Sequence, residues 1–191
     1  MTRRIGKVSV IGVGSLGTQI AIQAACYGYD VKVYDQDPDN FQRTLQRLHP
    51  YIIETSAKPT VPIEEWENGA KKVRQYKDLD DALKDVDLVI EAVPENLELK
   101  QKTFAQMDSM TPKEAILATN SSSIAISKIE EATKRPEKCV NLHFYSPATG
   151  TNIVDVMGGT KTTVETIETC QQWVRSVGCI PLTVKKEVIG Y

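Results

Sequence analysis

The sequence predicts an α/β fold built on a doubly wound, mostly parallel sheet. Two observations carry this expectation. Short β-branched runs alternate with apolar-periodic stretches along the 191 residues, as strands joined by helical crossovers do. The first of those runs also meets its helix through a turn holding Gly12, Gly14 and Gly17.

Taken in order, residues 7–11 are short and β-branched and read as the first strand. Leu16, Ile20, Ala21, Ala24 and Ala25 recur at helical spacing, and Gly28 ends that helix. Residues 31–35 are the second strand. Pro38 suits a first helical turn, with Phe41, Leu45 and Leu48 behind it at spacings of four and three. Residues 55–69 carry Pro59, Pro62 and Gly69 with little periodicity, which predicts an irregular excursion or a short helical insert. A strand over 73–76 and a short helix over 79–83 follow. Residues 87–93 are the clearest buried strand, and Leu97, Phe104 and Met107 mark a helix to about Ser109. Residues 115–119, 139–144 and 153–156 give three more strands, with an apolar-periodic stretch from Ile124 to Ile129. A helix over 162–177 and a strand over 180–184 close the series. One or two of the late strands are expected outside the parallel pattern. No linker, repeat or low-complexity tract interrupts the chain, so residues 1–191 are expected to form one domain.

A net charge of -2 with 25% charged residues gives no electrostatic reason to expect nucleic acid or an anionic membrane as partner. Cys26, Cys139, Cys170 and Cys179 show no C-x-x-C pairing and read as reduced thiols, mostly core. No metal site is expected. Thr2, Arg3 and Arg4 run straight into the first strand, leaving no room for a signal-peptide core, and no stretch nears the roughly 18 apolar residues of a membrane span. The expected location is cytoplasmic, with a removed transit peptide as the alternative.

The segment from Gly12 to Gly17 matches G-x-G-x-x-G between a strand and a helix. Gly12 permits the tight turn, Gly14 lets a pyrophosphate approach the backbone, and Gly17 lets the helix pack close to the sheet. Ser15 and Leu16 open the helix, whose N-terminus offers N–H groups and a positive dipole end to phosphates. The glycines alone also suit flavin or S-adenosylmethionine proteins, or a turn with no ligand. Asp35, 18 residues after Gly17, narrows the choice, because an acidic side chain there accepts from ribose hydroxyls. Gln36 and Asp37 follow it rather than an arginine, so NAD is favoured over NADP.

The chain holds two histidines. His49 precedes Pro50 in a polar helical stretch and reads as a surface residue. His143 ends a strand-like run at the expected carboxyl edge of the sheet, where open α/β sheets bind ligands; a structural role is its bland reading. Asn120, Ser121, Ser122 and Ser123 follow another strand at the same edge. One serine can cap the stretch that begins at Ile124 while another faces a ligand. Asp155, on the next strand, is the right group to fix an imidazole tautomer and stabilise its charged form.

Four segments now stand together in order: the glycine turn, Val89 to Leu97, Asn120 to Ser123, and Leu142 to Pro147. On these the sequence resembles the L-3-hydroxyacyl-CoA dehydrogenases, over essentially its whole length. The resemblance implies a Rossmann-type NAD-binding domain and reversible oxidation of the 3-hydroxyl of a hydroxyacyl-CoA to a 3-ketoacyl-CoA. It implies His143 as catalytic base, Ser122 in contact with substrate and cofactor, and Glu95 and Lys100 in contact with NAD. A coenzyme A tail could be held by a few local Lys or Arg residues without changing the net charge. Two departures stand out. Ser146 replaces the asparagine of the family's Asn-Pro, on the nicotinamide side, and Asp155 replaces the glutamate of a His–Glu pair, one methylene shorter. The resemblance also implies an all-helical C-terminal domain absent from this chain, carrying much of the acyl pocket, a substrate-contacting asparagine and the homodimer interface. Two other readings stay open: a superfamily dehydrogenase of a small hydroxy acid or sugar acid, and a non-catalytic NAD-binding module.

Overall fold

The computed structural model describes residues 4–54, 61–145 and 152–187. Among them, eight strands form one sheet: β1 (Lys7–Ile11), β2 (Asp30–Tyr34), β3 (Arg74–Tyr76), β4 (Leu88–Glu91), β5 (Ile116–Thr119), β6 (Cys139–Phe144), β7 (Ile153–Gly158) and β8 (Ile180–Val184). Their order is β3-β2-β1-β4-β5-β6-β7-β8. The chain moves outward from β1 to β3, returns to the centre, and builds the other half from β4. The sheet is therefore doubly wound, with its switch point between β1 and β4. The first six strands in sequence pair in parallel, β7 runs antiparallel to β6, and β8 runs parallel to β7. The Rossmann-type expectation holds, and the reversed late strands are β7 and β8.

Helices α1 (Ser15–Cys26), α2 (Asn40–Glu54), α3 (Ile63–Lys72), α4 (Leu79–Leu83), α5 (Leu97–Met110), α6 (Ile126–Glu130) and α7 (Val164–Ser176) divide between the two faces. Alternation along β4 shows the division: Leu88 and Ile90 join Ile20, Phe41, Trp66 and Trp173, whereas Val89 joins Leu83, Phe104, Met107 and Ile126. A strand covered on both faces has no polar face to present, which is why this segment reads as a continuous apolar run. Side chains cap the starts of two helices. The Asn96 side chain caps α5 by accepting from the Leu99 N–H at 2.9 Å, and Thr163 caps α7 through the Thr166 N–H at 3.2 Å. Such caps each contribute about 1 kcal/mol.

Of the irregular excursion and the short helical insert expected here, the described part is a helix: α3 is ten residues long, with Pro62 at its N-cap and Gly69 inside it. Proline fits there because a helix start needs no N–H from it. Gly69 is not a turn signal. A Cβ at this position would lie 2.4 Å from Cys26 Sγ and 3.2 Å from Cys26 N, so the glycine lets α3 cross close over α1. Trp66, 1% exposed, fills the space beside that crossing.

Cys26, Cys139, Cys170 and Cys179 are all free thiols. Burial pushes Cys139 and Cys170 up to about 12, and Cys26 and Cys179 up to about 11. Among the described residues, no helix is long and apolar enough to cross a membrane, and no cluster of His, Cys, Asp or Glu could hold a metal ion.

Candidate active site

The carboxyl ends of β1, β4, β5 and β6 lie side by side, and the loops leaving them carry the polar groups. Backbone bonds fasten those ends together: the Ala92 N–H donates to Ile11 O at 2.8 Å and the Asn120 N–H to Glu91 O at 2.8 Å. After β1 the chain turns at Gly12, whose φ of +90° favours glycine, and a Cβ there would sit 2.8 Å from the Ala92 carbonyl. At Gly17 a Cβ would lie 2.0 Å from Gly12 O, so α1 can approach the strand only without one. Gly14 differs: nothing lies within 4 Å of a Cβ placed on it. It is the N-cap of α1, and no side chain caps that helix. Ser15, exposed, and Leu16, half-buried, follow on the same turn. The result is an open, electropositive helix end suited to a pyrophosphate.

Beside this turn lies a cavity of about 520 Å³, lined by Gly12, Gly14, Asp35, Asn40, Val93 and Thr103 among others. Asp35 follows directly on β2. Its Oδ2 accepts from the Val13 N–H at 2.9 Å and from Asn40 Nδ2 at 2.9 Å, and its Oδ1 accepts from the Asp37 N–H at 3.0 Å. Three of the carboxylate's roughly four acceptor positions are thus used, leaving capacity on Oδ1 for a ribose hydroxyl. A bare cradle at Gly14, an uncapped helix start and a carboxylate with acceptor capacity at the cavity wall together fit NAD.

A second network fixes the loop after β5. Glu91, at the end of β4, is fully buried. Its Oε1 accepts from Lys100 Nζ at 2.8 Å and the Val93 N–H at 2.7 Å, and its Oε2 from Thr119 Oγ1 at 2.7 Å. Burial pushes Glu91 above the ordinary carboxylate range, against the Lys100 charge and these donors. Lys100 also donates to Val93 O at 3.2 Å and lies 3.3 Å from Glu95 Oε2. Glu95 then holds the serine segment, accepting from the Ser123 N–H at 2.9 Å, from Ser123 Oγ at 2.8 Å and from Ser121 Oγ. Partial burial pushes Glu95 up. The Ser121 hydroxyl, the Ser123 N–H and the Lys100 charge outweigh it and bring the carboxyl down to about 2.

The held segment presents Ser122. Its Oγ lies 2.9 Å from Nε2 of His143 on β6. Asn120 Oδ1 accepts from the Phe144 N–H at 2.9 Å, and Asn141 Nδ2 donates to Ser121 O at 2.9 Å, so loop and strand are locked to each other. His143 stands opposite Asp155 in the antiparallel β6–β7 register. Its Nδ1 lies 3.4 Å from Asp155 Oδ2, the outer limit of a hydrogen bond. Tyr145 Oη donates to that same oxygen at 2.6 Å. With His143 and Asp155 both about 95% buried, the arrangement can accept a proton at Nε2 beside a hydroxyl that can orient an oxygen.

The expected residues fall at one edge of the sheet, with differences. Lys100 is only 1% exposed and engaged by three oxygens, so it sits beneath Glu95 rather than at the cavity wall. The capping role goes to Ser121, whose Oγ accepts from the Ile124 N–H at 2.9 Å, whereas α6 itself starts behind Ala125 with no side-chain cap. His49 lies apart, 2.7 Å from Glu67 on α3. Ser146 and Pro147 lie outside the described residues. Sequence reasoning missed Glu91, Asn40 and Tyr145. A glutamate within the most apolar strand was the available signal for Glu91.

Comparison with known proteins gives the family. The family described as "3-hydroxyacyl-CoA dehydrogenase, NAD binding domain" matches residues 7–188. The chain is 32% identical over 98% of its length to 5-formyl-3-hydroxy-2-methylpyridine 4-carboxylate 5-dehydrogenase of Mesorhizobium japonicum, and covers 60% of it. It is 33% identical over 93% of its length to 3-hydroxybutyryl-CoA dehydrogenase of Bradyrhizobium diazoefficiens, again covering 60%. Among solved structures, a diketoreductase superposes with a TM-score of 0.88 at 35% identity, over 99% of this chain and 67% of that one. The chain thus spans 60% of the length of each of these two relatives.

Proposed function

Because the chain belongs to the family of the 3-hydroxyacyl-CoA dehydrogenase NAD-binding domain, with NAD as its cofactor, we propose that it is the nucleotide-binding part of an oxidoreductase. The reaction proposed is reversible oxidation of the 3-hydroxyl of a hydroxyacyl-CoA to the ketone. The observation that carries this reading is the contact of Ser122 with His143 Nε2 at the same sheet edge as the glycine turn.

NAD, when bound, supplies the hydride acceptor of the oxidation. Gly14 and the start of α1 would receive its pyrophosphate, and Asp35 would accept from a ribose hydroxyl. Ser122 Oγ orients the substrate oxygen. His143 takes the hydroxyl proton at Nε2, while its Nδ1–H faces Asp155, which stabilises the imidazolium that results. Lys100 acts through Glu95, by holding the segment on which Ser122 sits. A general base of this kind contributes about 10²–10⁴-fold.

The reading is tested by assembling the enzyme at its relatives' full length and assaying 3-hydroxybutyryl-CoA with NAD against free 3-hydroxy acids. Turnover of the thioester well above that of the acids supports it. The reverse order supports a second reading, a dehydrogenase of another hydroxy or carbonyl compound. Relatives of both kinds lie at like identity, 32% for the pyridine-carboxylate dehydrogenase and 33% for the hydroxybutyryl-CoA enzyme.

A further inference from the structure

We propose that Tyr145 is a positioning residue of the proton-transfer site: its phenol holds the Asp155 carboxylate, takes up part of its charge, and so limits how basic His143 becomes. The proposal rests on the reading of His143 as the base.

Residues two apart along an extended chain share a face of the sheet, so Tyr145 follows His143 on the same side. Asp155 meets both. Among the described residues, two donors reach its Oδ2: Tyr145 Oη at 2.6 Å and His143 Nδ1 at 3.4 Å. The first distance is that of a charge-assisted O–H to carboxylate bond, and the second is barely a hydrogen bond. The phenol, not the imidazole, is therefore the carboxylate's close partner. A carboxylate only 4% exposed needs donors in place of its water, and Tyr145 is the short one.

Two donors on one oxygen divide its charge. Each weakens what the other receives, so the tyrosine bond leaves less for the imidazolium than a carboxylate bonded to His143 alone would give. The tyrosine is also packed against its competitor. The His143 and Tyr145 rings meet edge to face, with centroids 4.7 Å apart and planes at 65°. That contact fixes the imidazole's plane as the phenol fixes the carboxylate. The other elements packed here bring Ser122, a neutral hydroxyl at Nε2, and Glu95, engaged with Ser121 and Ser123. Among the described residues, Asp155 is the acid within reach of Nδ1, and Tyr145 is bonded to it.

The chain has only two histidines, so its imidazole ring signals can be titrated individually by NMR without substrate or cofactor. Four proteins are needed: the wild type, Tyr145→Phe, Asp155→Ala, and the two substitutions combined. In the wild-type background Tyr145→Phe is expected to raise the His143 pKa by roughly half a unit to one unit, as the carboxylate turns its full charge on the imidazole. In the Asp155→Ala background the same substitution is expected to move it by less than about 0.2 units, since the group through which it acts is gone. Equal shifts in both backgrounds, no shift, or a fall in the first would overturn the proposal. Should Tyr145→Phe fail to fold, 3-fluorotyrosine at position 145 keeps the shape and makes a stronger donor. The His143 pKa should then fall, and a rise or no change overturns the proposal equally. Neither readout involves turnover, so a failed substrate assay would leave this result standing and its failure would leave the substrate reading intact.

Discussion

Lys100 Nζ lies 2.8 Å from Glu91 Oε1, and both side chains are sealed from solvent beneath the segment that carries Ser122. An ion pair so placed gains little over an apolar pair of equal volume, but it is costly to halve, because the survivor is left charged and desolvated. Lys100→Met is therefore expected to destabilise the domain by about 3–5 kcal/mol. Denaturant titration followed by tryptophan fluorescence measures this. A loss below 1 kcal/mol would mean that water reaches Glu91.

Asp35 holds the glycine turn through the Val13 N–H as well as facing the cavity. Asp35→Ala is expected to weaken NADH binding at least tenfold, about 1.4 kcal/mol, and to narrow the preference over NADPH mainly by that loss. Calorimetric titration with both nucleotides decides it, and equal affinities in the wild type would remove Asp35 as the discriminating group.

His143→Gln, in the enzyme at full length, is expected to lower kcat by about 10²–10⁴ with NADH affinity nearly unchanged. Asp155→Asn should cost less, given the 3.4 Å separation from Nδ1. Steady-state kinetics with fluorescence titration of NADH separates the two effects. A variant lacking the imidazole that retained wild-type rates would rule out base catalysis by His143.

Glu95 is held from its ordinary 4.5 down to about 2, so it favours the folded state when ionised. Its contribution is fully present above the unfolded value and is lost as the pH falls through about 4.5 toward 2. Thermal melts of the wild type and Glu95→Gln should differ above pH 5 and converge near pH 2. A difference that grows on acidification would reverse the sign argued here.

Gly69→Ala raises helix propensity by about 1 kcal/mol yet inserts a methyl against Cys26. Overpacking of this kind costs about 1–3 kcal/mol, so the net effect should be destabilising. Adding Cys26→Ala should recover part of the loss, leaving the 3.2 Å contacts with the α1 backbone. Melting temperatures of the single and double variants test both steps, and a more stable Gly69→Ala protein would place the crossing wider than it is here.

Much of the fold was legible because periodicity and punctuation agreed. The Leu88–Glu91 strand, the Gly28 helix end and the Gly12 turn each announce themselves locally. The role of Gly69 inside α3 did not, since it answers to a helix crossing that no local pattern encodes. The site divides in the same way. Asp35, Ser122, His143 and Asp155 occupy positions that topology alone brings to one edge. The burial of Lys100 and the Tyr145 bond to Asp155 depend on side-chain packing across three strands, which residue type and spacing do not reveal.

The reversed strand β7 has a consequence for the order in which the molecule assembles. His143 and Asp155 are only 12 residues apart in sequence, because β7 enters the sheet at the edge where β6 leaves it. A parallel neighbour would need a helical crossover to bring its end to the same place. Closing a short loop costs little chain entropy, whereas the Glu95–Ser121 contact spans 26 residues and the Gln23–Val177 contact 154. The His143–Asp155 contact thus closes over 12 residues, against 22 for the Val13–Asp35 contact that holds the glycine turn. Pulsed hydrogen exchange during refolding is expected to find β6 and β7 among the first strands protected, and late protection of both would count against local closure.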